Sequence, residues 1–162
     1  MFNIVLVEPQ IPPNTGNIAR LCVNLDATLH LIKPLGFSID EKSLKRAGLD
    51  YWSELDLKLW DSFEQFLKNI PLDRAFFATT KSDTLYWEKE YQIGDYLIFG
   101  SETKGLDERV LKENFDKTIT IPMGKKGRSL NLATSVGIVA YEALRQNYKK
   151  IDFQRVKIDF RE

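Results

Sequence analysis

Short apolar runs alternate with amphipathic and polar stretches along the whole of this chain. Phe2–Glu8 is the β-branched, nearly continuous apolar run of a strand covered on both faces. The same reading predicts strands at Thr28–Ile32, Leu57–Trp60, Arg74–Thr79, Tyr96–Phe99 and Thr118–Ile121. Between them the spacing turns helical. Pro12 and Pro13 end the first strand and Asn14 is placed as N-cap of a helix through about Asn24, with Ile18, Leu21, Cys22 and Leu25 on one face. Asp40 caps a short helix that stops near Gly48, Pro71 stops a helix over about Ser62–Asn69, and Asp107 begins another. Asn131–Tyr148 is the longest helix, with Leu132, Val136, Val139, Ala140, Ala143 and Leu144 as its apolar stripe. The polar stretch Lys81–Gln92, with isolated Tyr86, Trp87 and Tyr91, reads mostly as loop. Strands separated by helices predict βαβ units, hence an α/β fold with a parallel sheet flanked by helices.

Length and composition narrow the class. A chain of 162 residues suits a single domain over 1–162, with 149–162 as a charged tail. No apolar stretch approaches the about 20 residues of a membrane span, and Met1–Val7 lacks the basic start of a signal peptide. Cys22 is the only cysteine, which excludes an internal disulfide and a cysteine-rich zinc site and fits a reducing cytoplasm. The 23 basic and 23 acidic residues cancel, so the total charge gives no support for a nucleic-acid partner. Locally the balance differs. Lys42, Lys45 and Arg46 cluster, Lys104, Lys125, Lys126 and Arg128 flank two polar turns, and Lys149, Lys150, Arg155 and Lys157 mark the tail.

Several chemistries are excluded by what is missing. Gly100 and Gly105 have P-loop spacing, but Leu106 and Asp107 stand where Lys and Ser or Thr would hold phosphate and Mg²⁺. No Gly-x-Gly-x-x-Gly follows a strand. His30, the only histidine, lies mid-strand, so neither a Ser/His/Asp triad nor a histidine metal cluster can be assembled, and a packed or surface role is expected for it rather than catalysis. Cys22 falls on an apolar helix face and reads as a core thiol.

Three polar turns remain, each following an apolar run and opening a helix: Pro12 to Arg20, Gly100 to Leu106, and Gly127 to Leu132. In open α/β sheets ligands sit beyond the carboxyl ends of the strands, where backbone N–H groups converge, so one composite site is expected. Gly100 lets a ligand approach the backbone, and Glu102 could accept hydrogen bonds from a ribose diol or an amine; the alternative is a solvated glutamate on a simple loop. Ser129 or Asn131 suits an N-cap, and Leu130 between them could pack on a flat base. Arg20 either pairs with a carboxylate or projects into the site.

These segments, in this order and spacing, resemble the SPOUT class of RNA methyltransferases. They are most similar to its small tRNA wobble-position family, the TrmL/YibK tRNA (cytidine(34)-2′-O)-methyltransferases. The matching runs are Glu8-Pro9 with Ile11-Pro12, Asn14 to Arg20, Leu31 to Phe37, Gly48 to Tyr51, Gly94 to Gly105, Ile121-Pro122-Met123 and Arg128 to Leu132. The likeness spans Ile4 to about Gln146. It implies a parallel sheet whose C-terminal part forms a deep trefoil knot, a homodimer, and S-adenosylmethionine bound in a bent shape within the knot loops. By matched position, Ala78, Thr79, Gly100, Glu102, Ile121, Ser129 and Leu130 would surround that cofactor. Arg20 would be catalytic, Asn14 and Asn17 would hold its turn, and Asn131 could orient substrate. The resemblance also implies a tRNA anticodon partner, a cytoplasmic location and no need for metal. Two alternatives stay open: ribosomal RNA as the substrate, or a non-catalytic dimer that binds RNA or the cofactor.

Overall fold

The structure, a computed structural model, describes residues 1–39 and 52–152. The expected Asp40–Gly48 helix, the Lys42, Lys45 and Arg46 cluster, the Gly48 to Tyr51 run, and Arg155 and Lys157 lie outside the described residues. Six strands appear where the apolar runs place them: β1 (Asn3–Val7), β2 (Thr28–Ile32), β3 (Leu57–Trp60), β4 (Ala75–Ala78), β5 (Tyr96–Phe99) and β6 (Thr118–Ile119). They form one sheet in the order β3-β2-β1-β5-β4-β6, and every pairing is parallel. The last strand is two residues shorter than expected, because Thr120 leaves the sheet to bridge Leu85 instead.

Four helices are described: α1 (Pro12–Asn24), α2 (Phe63–Lys68), α3 (Glu108–Glu113) and α4 (Leu132–Asn147). Three begin as the sequence indicates. Ser62 Oγ, Asp107 Oδ1 and Asn131 Oδ1 each accept a hydrogen bond from a backbone N–H in the first turn of α2, α3 and α4. The first helix corrects the expectation. Pro12 and Pro13 are its opening residues, Ile11 occupies the cap position, and Asn14 lies inside the helix with its side chain committed elsewhere. Proline suits a first helical turn, where its missing N–H would have no intrahelical partner anyway.

Alternation along the strands divides the core. Ile4 and Leu6 of β1 face one cluster with Leu29, Leu31, Leu97 and Phe99, covered by Ile18, Ala19 and Cys22 of α1 and Val136, Val139 and Ala140 of α4. Val5 and Val7 face the other, with Phe77, Ile98, Phe66 of α2 and Val110 and Leu111 of α3. Cys22 is buried in the first cluster, and burial pushes its thiol up to about 12, so it is the inert core group expected. His30 is buried in β2, stacked on Trp60 and edge-on to Phe66 and Tyr96. Trp60 Nε1 donates to His30 Nδ1 at 3.0 Å, and His30 Nε2 lies 3.0 Å from Asn3 Oδ1, so the ring is neutral with its proton on Nε2.

The loop after β4 is bound at both ends. Thr120 N donates to Thr84 O and Tyr86 N to Thr120 O, each at 2.9 Å. Farther on, Tyr91 N donates to Gln146 Oε1 at 2.9 Å, and Asn147 Nδ2 donates to Tyr91 O at 2.8 Å. The chain leaving β6 then crosses back so that α4 packs on α1 and β5.

Candidate active site

The carboxyl ends of β4, β5 and β6 open into a cavity of about 520 Å³. That lies within the range of roughly 300–1,000 Å³ typical of small-molecule sites. Two turns make its walls by backbone geometry. After β5 the chain doubles back so closely that a Cβ on Gly100 would lie 2.1 Å from the Gly105 carbonyl carbon and 2.4 Å from Leu106 N. Only glycine fits that approach. Gly105 closes the turn in the left-handed region, at φ 67°, with its N–H donating to Ser101 O at 3.0 Å. The second wall is the irregular segment from Thr120 through Leu130, which runs exposed up to the start of α4.

The three polar turns are joined by side chains. Glu102 Oε2 accepts from Gln10 N at 2.8 Å, and its Oε1 accepts from Ile11 N at 3.0 Å and from Asn14 Nδ2 at 3.2 Å. Asn14 Oδ1 in turn accepts from Asn131 Nδ2 at 2.9 Å, while Asn131 Oδ1 caps α4 by accepting from Thr134 N at 3.1 Å. Burial alone would raise the Glu102 carboxyl, but hydrogen bonds from Gln10, its own backbone, Asn14 and Ile11 outweigh it and hold the group below its ordinary value. Glu102 is thus an ionised strut that fixes the first turn against the second. Its observed bonds run to protein groups, which is the difference from the diol acceptor that its position suggested.

Of the residues singled out in the sequence, Ala78, Thr79, Gly100, Glu102, Ile121, Ser129 and Leu130 all line the cavity, as do Asn14 and Asn131. Leu130 is 39% exposed there, an apolar side chain held at the opening. Arg20 and Asn17 are not on the lining; both are on the exposed face of α1. Sequence reasoning missed Lys81 and Thr120, which also line the cavity. The signal for Lys81 was its position just past the end of β4, where the residues of a site in this class of sheet collect.

The fit to a nucleoside-bearing cofactor can be judged from the lining. Leu106, Leu111, Ile119, Ile121, Leu130 and Val139 offer apolar surface for a flat base. Thr79, Ser101, Thr120 and Ser129 place hydroxyls among them for polar groups of a sugar. The donor set suits such a molecule. Among the described residues no group of three or more His, Cys, Asp or Glu side chains is placed to hold a metal ion. No helix among them is long and apolar enough to cross a membrane.

A parallel sheet with one composite cavity at its carboxyl end, walled by a glycine-dependent turn, defines an α/β enzyme-like fold of the nucleotide-cofactor type. Residues 1–141 match the SpoU rRNA methylase family, and the chain belongs to it. It is 49% identical over 152 residues to a tRNA (cytidine(34)-2′-O)-methyltransferase of Yersinia pestis, covering 90% of this chain and 94% of that one. A crystal structure from Bacillus anthracis, of a protein described as a putative RNA methyltransferase, superposes with a TM-score of 0.87 at 43% identity, covering 96% of this chain and all of the other. A structure solved in work on 2′-OH methylation of C/U34 on tRNA gives a TM-score of 0.85 at 47% identity, covering 92% and 97%.

Proposed function

We propose that this protein transfers a methyl group from S-adenosylmethionine to the ribose 2′-oxygen of the wobble nucleotide, cytidine or uridine 34, of tRNA. The observation that carries the reading is the Glu102–Asn14–Asn131 chain, which locks three sequence-distant turns around one cavity. Relatives of this identity and coverage bear the same activity in their names. When bound, S-adenosylmethionine supplies a methyl group made electrophilic by its positively charged sulfur. The protein then has to seat the nucleoside and align the acceptor oxygen.

The residues divide that work. Ala78, Ile121 and Leu130, which line the cavity, would hold the base, and Thr79, Gly100 and Ser129 would offer backbone and hydroxyl groups to the sugar. Glu102 and Asn14 hold the first turn, and Asn131 ties it to α4. Arg20 is the catalytic residue in this account, with Asn17 beside it on the same helix face. A guanidinium keeps its proton in proteins and is a poor base, so Arg20 positions the ribose and its phosphate and stabilises the developing alkoxide. Lys104 and Arg128 on the lining, with Lys125 and Lys126 exposed beside them, give the mouth a basic rim for the anticodon phosphates.

The assembly is read in the same way. The protein works as a homodimer, in which Arg20, outside its own cavity lining, serves the partner's site. Its 162 residues act as one domain with a charged tail, in the cytoplasm. The crossing of the β6–α4 segment past the tethered loop 79–95 supports a deep trefoil knot.

The test is to incubate the purified protein with radiolabelled S-adenosylmethionine and total tRNA lacking the modification, then map the label. Label on the ribose of nucleotide 34 is expected; label on a base, elsewhere on tRNA, or on ribosomal RNA alone would overturn the reading. Arg20→Ala should keep donor affinity and dimerisation and lose transfer by about 10²–10³-fold. Wild-type turnover in that variant would remove Arg20 from the mechanism.

A further inference from the structure

Ile11 is the least expected residue on the cavity wall. It occupies the N-cap of α1 and makes no side-chain cap bond, at a position where Ser, Thr, Asp or Asn would accept one. Its side chain is 43% exposed, and among the described residues only Ile11 and Leu130 are large apolar side chains that are both exposed and on the lining. The backbone that carries it is held by two other segments. Ile11 N and Gln10 N donate to the two Glu102 carboxylate oxygens at 3.0 and 2.8 Å. From the loop after β2, Gly36 N donates to Pro9 O at 2.9 Å, and a Cβ on Gly36 would lie 2.7 Å from both Cα and O of Gln10. Gln10 Nε2 donates to Glu8 O at 2.8 Å within the turn itself. A turn braced in this way fixes an apolar side chain at the edge of the cavity without burying it in the protein.

We infer that Ile11 is the contact for the acceptor nucleobase and packs on the flat face of the pyrimidine whose ribose is methylated. The inference rests on the methyl-transfer reading. The acceptor ribose has to turn its 2′-oxygen into the cavity, so its base, carried on the adjacent C1′, is left at the mouth beside Ile11. Lys104 and Arg128 on the same lining suit the flanking phosphates, which position a nucleotide without reading it. Bases of single-stranded loops are splayed out and packed on side chains in this way. An isoleucine meets only the face of the ring. Cytidine and uridine differ at the ring edge, an amino group against a carbonyl oxygen, so the contact takes both.

The test is the initial transfer rate at limiting tRNA lacking the modification, resolved into cytidine 34 and uridine 34 by mapping the label, with donor calorimetry, thermal unfolding and sedimentation of the full-length protein. Ile11→Asn offers α1 the side-chain cap it lacks and removes the apolar contact, so stability and transfer should part. The unfolding midpoint should hold or rise, the sedimentation coefficient should stay the same, and S-adenosylmethionine affinity should change by less than about twofold. Transfer to both nucleotides should fall by one common factor of about tenfold. Ile11→Ala, which adds no polar group, should show the same loss, and Ile11→Val should stay within about threefold of wild type. Unchanged transfer in Ile11→Ala and Ile11→Asn, a loss confined to one nucleotide, or an equal loss of donor affinity would overturn the contact alone. A smaller sedimentation coefficient would overturn it too, by showing that a second copy of the chain covers Ile11. A wild-type protein that methylates neither nucleotide would overturn the methyl-transfer reading and the contact with it.

Discussion

A chain of three hydrogen-bonded side chains inside the sheet and another at the cavity do opposite things. Trp60–His30–Asn3 links neighbouring strands, with partners 30 and 27 residues apart, and ends inside an aromatic cluster. Glu102–Asn14–Asn131 links loops at the carboxyl end of the sheet, with partners 88 and 117 residues apart, and borders an open cavity. The first keeps its titratable member neutral: burial, with the nearby Lys58, lowers His30 to about 4 against the opposing pull of Asp56. The second keeps its titratable member charged, because hydrogen bonds to the Glu102 carboxylate outweigh its burial. Satisfied polar groups that exclude water stabilise a core; satisfied polar groups that leave a cavity beside them hold a site in register.

The sharpest way to break that contrast is at Gly100. A Cβ there meets backbone at 2.1 Å, so Gly100→Ala must displace the 101–106 turn, costing about 3 kcal/mol or more and abolishing donor binding. Thermal unfolding and calorimetry check both; a variant that binds normally would show the turn to be no part of the site. Next in size, Glu102→Ala should cut turnover by about 10²-fold through a displaced first turn while leaving the unfolding midpoint nearly in place. Single-turnover kinetics measures the first and circular dichroism the second.

His30 should give the reverse pattern. His30→Leu leaves the Trp60 indole N–H and Asn3 Oδ1 without their partner, costing about 2–3 kcal/mol with donor affinity unchanged. The pH dependence follows from its sign. With a folded value near 4 and an ordinary value of 6.5, the unfolded chain takes up the proton first. Stability from this group is therefore complete above about pH 6.5 and is lost, by up to about 3 kcal/mol, as the pH falls toward 4. Urea titrations of wild type and His30→Leu across that window should converge at low pH. The smallest effect is at Asn131, where cap and link can be separated. Asn131→Ala should cost about 1 kcal/mol of stability, whereas Asn131→Ser should restore the cap but not the reach to Asn14. Both variants should lose transfer to the same degree if the link is what matters.

The two chains were not equally legible. Strand positions, the helix starts near Ser62 and at Asp107, and the burial of Cys22 follow from local pattern, and the structure agrees with them; of the two cap candidates Ser129 and Asn131 it selects Asn131, and it places His30, read as packed or on the surface, in the interior. The first helix was misread at its start, because Pro12 and Pro13 break most structures yet suit the opening turn of a helix, and Asn14 resembles a cap wherever it stands. The strand order, which carries β5 next to β1 and sends β6 outside β4, leaves no local trace. For the same reason the Glu102 strut was invisible: Gln10 and Ile11 contribute only backbone N–H groups, which every residue there would supply. The list of cavity residues was recoverable through family resemblance, but which of them are tied to one another as struts needed the fold.

A crystal structure of the protein soaked with S-adenosylmethionine tests the central claim most directly. The account predicts a single donor molecule bounded by Ala78 and Thr79, by Gly100 to Leu106, and by Ile121 to Leu130, with the Glu102–Asn14–Asn131 bonds intact around it. Donor density at any other place, or those three turns drawn apart when it binds, would contradict it.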